Sequence, residues 1–167
     1  MAPESPGFNL WSDAIDPASR SFDPRYTCDL DNSSPELRWA NPPKDTHSFA
    51  LLLRDPDAPG GDYYHWIVYS IPSELLHLPA GIPAQEALPN GVRQGMNSHG
   101  RLGYFGPCPP VDGPAHRYIF ELHALSGPVP PLHRKPDPRE LVSEIRRLSI
   151  GHAACEGSYR RARRRIA

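Results

Sequence analysis

Two carboxylates stand two residues apart in the stretch Asp55-Pro56-Asp57-Ala58-Pro59, where prolines stiffen the backbone around them. Such a pair can fix a donor or take a proton, and its plainest use is an Asx-turn, each carboxylate accepting from local backbone. His65-Trp66 then heads a hydrophobic run. A lone histidine there is usually a satisfied structural group, although its imidazole is also the side chain that titrates near neutral pH. The third segment is Gly103-Tyr104-Phe105-Gly106-Pro107-Cys108-Pro109-Pro110, with His116-Arg117-Tyr118 soon after it. Its prolines leave few backbone donors, and a survivor such as the Cys108 N–H can point into a cavity, an arrangement that holds anions. His116 and Tyr118, two apart in a strand, project from one face, whereas Arg117 points away. An ionisable imidazole and a phenol therefore sit side by side.

Elements must bring these segments together. Residues 48–54 (SFALLLR) are nearly all apolar, as in a strand buried on both faces, and end at the Asp55 turn. Residues 65–71 (HWIVYSI) read as a second strand, closed by Pro72. Residues 116–125 alternate, with Tyr118, Phe120, Leu122 and Ala124 on one face. Residues 79–115 are loop-like. One helix is predicted: Asp137 as N-cap, Pro138 first, Glu140 at capping-box spacing, and Leu141, Ile145, Leu148 and Cys155 along one apolar face. Gly151 and Gly157 are expected to bend or end it. The basic run Arg160, Arg161, Arg163, Arg164, Arg165 reads first as a solvated terminus.

Composition bounds the class. The 167 residues suit one domain, 1–167. With 22 Pro and 13 Gly, long helices are excluded and short strands joined by tight turns remain. A net charge of -1 argues against a nucleic-acid partner. No apolar stretch approaches the ~18 residues of a membrane span. No signal-like segment opens the chain, and Cys28, Cys108 and Cys155 form neither a CxxC pair nor a disulfide framework. A cytoplasmic protein is expected, with Cys108 as a packed thiol making a backbone contact.

DPDAP, then HW six residues on, then GPCPP closely followed by HRY, resembles the phosphatidylethanolamine-binding protein family, also called Raf kinase inhibitor-like proteins. The GPCPP form is similar to its bacterial and archaeal branch. Arg25-Tyr26-Thr27-Cys28-Asp29, the run Ser34 to Trp39, the stretch Asn90-Gly91 to Gly100 and Gly157-Ser158-Tyr159-Arg160-Arg161 extend the likeness over about residues 7–161. The resemblance implies a large antiparallel sheet packed on a smaller one, with few helices, the last near the pocket mouth. It implies a pocket for phosphate or a phosphorylated head group, containing Asp55, Asp57, His65, Gly106, Pro107, Cys108, His116 and Tyr118, with Pro59 and Tyr63 as walls. No cofactor or metal is implied, and a homodimer is expected by analogy. The chain departs from the family's pattern at Tyr63-Tyr64, at Met96-Asn97-Ser98-His99 and at His123, changes that bear on ligand identity.

An anion beside Asp55 needs donors that outnumber acceptors, and the Cys108 N–H, the Tyr118 hydroxyl and a protonated imidazole are the available ones. Bound anion and protonation of His65 or His116 should then favour each other, so that phosphate binds more weakly at pH 8 than at pH 6. The alternative is an acid/base enzyme acting on a small molecule, as suggested for some members in natural-product pathways, with Asp55, His65, His116 and Tyr118 catalytic. Cys108 as a nucleophile would need a lowered pKa. A metal held by Asp55, His65 and His116 has the ligand types without short-range spacing.

Overall fold

The structure, a computed structural model, describes residues 7–133 and 136–163. In chain order its elements are β1 (Asn9–Ser12), a 3-10 turn (Pro24–Tyr26), β2 (Leu37–Ala40), β3 (Ser48–Asp55), β4 (Tyr63–Pro72), β5 (His77–Leu78), β6 (Arg93–Gln94), β7 (His116–Leu125), α1 (Pro138–Leu148) and β8 (Ser149–Tyr159). Five strands form one antiparallel sheet in the order β6-β4-β3-β7-β8, and three form a smaller one, β1-β2-β5.

β3 is apolar from Phe49 to Leu53 because both its faces are covered there. Phe49, Leu51 and Leu53 join Trp66, Val68, Tyr118, Phe120 and Leu122 in a core with Leu10, Leu37 and Trp39 of the small sheet. Ala50 and Leu52 face the other way, against Leu141, Val142 and Ile145 of α1. Each fully buried Leu or Phe contributes roughly 1.5–3 kcal/mol, so the strand that ends at Asp55 is firmly seated. The two faces also settle where α1 lies. It packs behind the sheet, on the side away from Asp55 and Tyr118, and not at a pocket mouth.

α1 begins as its residues dictate: Asp137 accepts from the Arg139 N–H at 2.8 Å and Pro138 takes the first helical position. Glu140 does not complete the capping box, because its carboxylate turns to His133 at 2.7 Å. The apolar face ends at Leu148. Cys155, which shares the helical spacing, lies in β8, since Ser149 already has extended backbone (φ -66, ψ 127). Gly151 and Gly157 are therefore strand residues, placed where a Cβ would come within 2.8 Å of Pro43 and 2.9 Å of Ile15.

Behind the sheet a buried polar network joins β3, β7 and the α1–β8 junction. Arg54 Nε donates to Glu121 at 2.9 Å, His123 Nε2 bonds Glu121 at 2.7 Å, and His123 Nδ1 bonds Ser149 Oγ at 2.8 Å. His123 and Arg54 hold the Glu121 carboxyl down at about 2. The departure at His123 thus serves the back of the sheet rather than the site. In the basic run, Arg161 pairs with Asp29 at 3.0 Å and Arg163 with Asp112 at 3.6 Å, while Arg164 and Arg165 lie outside the described residues.

The cysteine reading is corrected. Cys28 and Cys108 form a disulfide across 80 residues, with Cα atoms 5.4 Å apart. Spacing along the chain hides such a pair, because the contact depends on how two loops fold together. Closing a loop of that length is worth roughly 4–5 kcal/mol in the chain-entropy view. Cys108 is thus no free thiol, and the cysteine count ceases to argue for a reducing compartment. No helix among the described residues is long and apolar enough to cross a membrane.

Candidate functional site

Asp55 ends β3 and turns its carboxylate to two tasks. Oδ1 accepts from the Asp57 N–H at 2.8 Å, the Asx-turn expected of this stretch, and Oδ2 accepts from His116 Nδ1 at 2.7 Å. With its Nδ1 proton so placed, a neutral His116 presents Nε2 as a bare acceptor. Asp57 stands at the edge of the group, its charge felt by His116 and Tyr118 while its carboxylate is engaged elsewhere. Its carboxylate takes three bonds from Arg117, at 2.8, 2.9 and 3.0 Å, which hold its pKa at about 2. Arg117 points outward as its strand position predicts, and Asp57 follows it; Pro59 stays exposed in the same turn.

His65 reaches the site through a bulge. Leu53 pairs with Trp66 and Arg54 with Tyr64, which leaves His65 as an extra residue opposite none. Strict alternation would put His65 behind the sheet beside Ile67; the bulge swings it to the front. There its ring lies 4.9 Å from Tyr63, 5.7 Å from Phe105 and 5.4 Å from Tyr118. Phe105 locks it twice, its N–H donating to the His65 carbonyl at 3.0 Å and its own carbonyl accepting from Nδ1 at 2.6 Å. A carbonyl accepts only, so Nδ1 carries the proton and Nε2 is a second bare acceptor. Burial outweighs the pull of Phe105 and Asp55 and depresses this imidazole to about 4. Trp66, the other half of the motif, serves the core, with its Nε1 donating to Gln94 Oε1 at 2.8 Å.

Tyr118 sits between the two imidazoles, 5.4 Å from the His65 ring and 6.4 Å from that of His116. It is 0% exposed, and its hydroxyl has no hydrogen-bond partner. The Asp55 carboxylate and the Cys108 N–H lie close enough to act on it, and Asp57 acts by charge alone, but none of them meets the hydroxyl in hydrogen-bond geometry. Burial and Asp55 push its ionisation far up, so the hydroxyl remains a donor. A buried hydroxyl left unpaired costs about 1–3 kcal/mol, which singles this one out.

The loop carrying Cys108 is tied to the segment after the 3-10 turn. Tyr104 Oη donates to the Tyr26 carbonyl at 2.6 Å, the Gly106 N–H to Asn32 Oδ1 at 2.7 Å and the Cys28 N–H to the Pro107 carbonyl at 3.1 Å. The Cys28–Cys108 disulfide completes the seam. At Gly106 the two segments touch so closely that a Cβ would stand 2.1 Å from the Tyr26 carbonyl oxygen. Gly106→Ala is expected to destabilise the protein by about 2–3 kcal/mol through this overpacking. Chemical denaturation checks the value, and an unchanged midpoint contradicts it.

The structure therefore brings Asp55, His65, His116, Tyr118 and Tyr63 together with the Gly106-Pro107-Cys108 backbone beside them. Sequence reasoning missed the part played by His99 and Phe105, whose rings stack at 4.1 Å on the rim, His99 Nδ1 lying 3.2 Å from Tyr63 Oη. The cluster is nearly closed to solvent, with Asp55, His65 and His116 only 3, 4 and 7% exposed. A groove of about 1340 Å³, lined by Trp11, Arg20, Phe22 and Cys155 among others, lies elsewhere. Among the described residues no three His, Cys, Asp or Glu side chains converge as a metal-ion site would require.

Two stacked antiparallel sheets, with a carboxylate, two imidazoles and an unpaired phenol at the end of the central strands, define a β protein with a compact polar site. The chain belongs to the phosphatidylethanolamine-binding protein family, whose profile matches residues 12–160. It is 40% identical over 137 residues to a UPF0098 protein of Methanothermobacter thermautotrophicus, covering 82% of this chain and 89% of that one. A UPF0098 protein of Aquifex aeolicus is 46% identical over 101 residues, 60% of this chain, and this chain spans 58% of its length. The crystal structure of Escherichia coli YbcL, described as a member of the mammalian PEBP family, superposes with a TM-score of 0.82 at 30% identity, over 92% of this chain and 98% of that one.

Proposed function

We propose that the protein binds a small anion, phosphate or the phosphorylated head group of a lipid, between Tyr118, the Cys108 N–H, His65 and His116. The unpaired Tyr118 hydroxyl carries this reading, because a buried donor without a partner is a cost that a bound acceptor removes. Geometry adds a condition. Both imidazoles offer Nε2 as an acceptor when neutral, and Asp55 repels negative charge. A bound anion must therefore bring a proton, as a phosphate P–OH does, or place one on an imidazole. A phosphoryl group would enter this buried cluster, and the rest of a larger ligand would lie beside Tyr63, His99 and Phe105.

A second reading uses the His116–Asp55 pair as a general base, since a carboxylate that orients Nδ1 frees Nε2 to take a proton from a small substrate. Titration calorimetry with inorganic phosphate and with phosphorylethanolamine separates the two. Saturable binding, with the ester recovered intact, supports the binding protein. A ligand consumed in proportion to active protein, and spared by His116→Ala, supports the enzyme.

A further inference from the structure

We propose that the Cys28–Cys108 disulfide is a thiol-exchange site that a small thiol opens by attacking Cys28, and that its opening loosens the anion site; the second half rests on the binding reading above. Both cysteines are partly exposed residues, near enough to the surface for a small thiol to approach the bridge. Their surroundings differ. Arg161 Nη1 donates to Cys108 Sγ at 3.5 Å, while its Nε is held by Asp29 at 3.0 Å. Asp29 follows Cys28 directly in the chain, and its second oxygen accepts from Tyr159 Oη. A thiolate is favoured beside a guanidinium, which here contacts Cys108. Exchange runs fastest when the sulfur that leaves is the better thiolate. The contacts therefore give the bridge a polarity: Cys108 leaves and Cys28 is attacked.

The step balances without a further reactant. The thiolate RS⁻ forms an S–S bond to Cys28, the Cys28–Cys108 bond breaks, and its electron pair stays on Cys108 as a thiolate beside Arg161. A second RS⁻ attacks the mixed disulfide, releasing RSSR and leaving Cys28 reduced. Cys155 takes no part, because burial pushes its thiol up to about 12.

Opening the bridge reaches the site through Cys108 itself. The hydrogen bonds of the seam hold the loop at Tyr104, Gly106 and Pro107. The disulfide is the tie at Cys108, the residue whose N–H acts on the Tyr118 hydroxyl. Without it the loop stays in place up to Pro107, and the donor beyond loses its fixed aim.

The test treats the full oxidised chain with a monothiol, stops the reaction early with iodoacetamide and maps the modified cysteines by mass. The expected product carries the mixed disulfide on Cys28 and the alkyl group on Cys108, and Arg161→Met slows exchange by roughly five- to tenfold. Arg160→Met, whose guanidinium bonds the Gly113 carbonyl, leaves the rate unchanged. An adduct mainly on Cys108, or an Arg161→Met rate like wild type, overturns the polarity. The same protein, reduced by dithiothreitol and shown folded by circular dichroism, is expected to bind phosphate several-fold more weakly and to recover on reoxidation. Equal affinity in both states, or loss of the fold on reduction, overturns the coupling. Failure of the oxidised protein to bind phosphate removes the binding reading and the coupling together, while the adduct map still decides the exchange chemistry.

Discussion

Tyr118→Phe is expected to stabilise the empty protein by about 1 kcal/mol or more and to weaken phosphate binding by tenfold or more. The two effects share one cause. The hydroxyl is fully buried without a partner, so the empty protein bears its desolvation cost, and deleting it relieves that cost. The ring is kept, with its contacts to Phe22 at 5.9 Å and to His65 at 5.4 Å, so packing is preserved. In the bound protein the same hydroxyl donates to the anion, and a hydrogen bond to a charged acceptor contributes about 1.5–3 kcal/mol, tenfold or more in affinity. A structural tyrosine would show the reverse pattern, losing stability and leaving affinity alone. Thermal denaturation with and without phosphate reads both numbers on one sample.

Sulfate, which carries no proton near neutrality, should bind more tightly as the pH falls, by up to about tenfold per unit. The sign follows from His65. Its pKa is about 4 in the empty site. An anion against Nε2 stabilises the imidazolium, so the bound value lies higher and binding takes up a proton at any pH between the two. Affinity rises as pH falls through the bound value and levels off near the free one. Asp55, His99, His116, Tyr63 and Tyr118 surround this ring, and of these Asp55 already favours its charge while His99 opposes it. Phosphate, whose P–OH can donate to neutral Nε2, should show a shallower dependence than sulfate, still weaker at pH 8 than at pH 6. His65→Gln removes the sulfate slope. Calorimetry across pH 5 to 8 measures it, and a flat sulfate profile for the unaltered protein contradicts the coupling.

Much of the fold was legible because local pattern and burial agree. The apolar run at residues 48–54 became β3, the alternation from His116 to Leu125 became β7, and Asp137-Pro138 became the helix start. The site was legible as a set of motifs whose order resembles one family. What stayed hidden depends on neighbours distant in the chain. His65 faces the site only because β3 and β4 slip by one residue at Leu53/Arg54, an event no single strand pattern encodes. The Asp57 carboxylate turns to Arg117 because β7, which carries Arg117, runs beside β3. Cys155 continued a helical spacing past Leu148, yet Gly151 and its neighbours pair with β7 as strand. The disulfide joins loops 80 residues apart and has no spacing signature at all. His99 gave one usable signal, being an aromatic, ionisable residue in a segment that departs from the family's pattern.

The most direct measurement is diffraction from crystals grown with phosphate or sulfate. The account predicts tetrahedral density within hydrogen-bond distance of Tyr118 Oη, the Cys108 N–H and at least one of His65 Nε2 and His116 Nε2. Anions found only on exposed arginines such as Arg160 or Arg163, with the Tyr118 hydroxyl closed onto Asp55 and no room between the imidazoles, would contradict it.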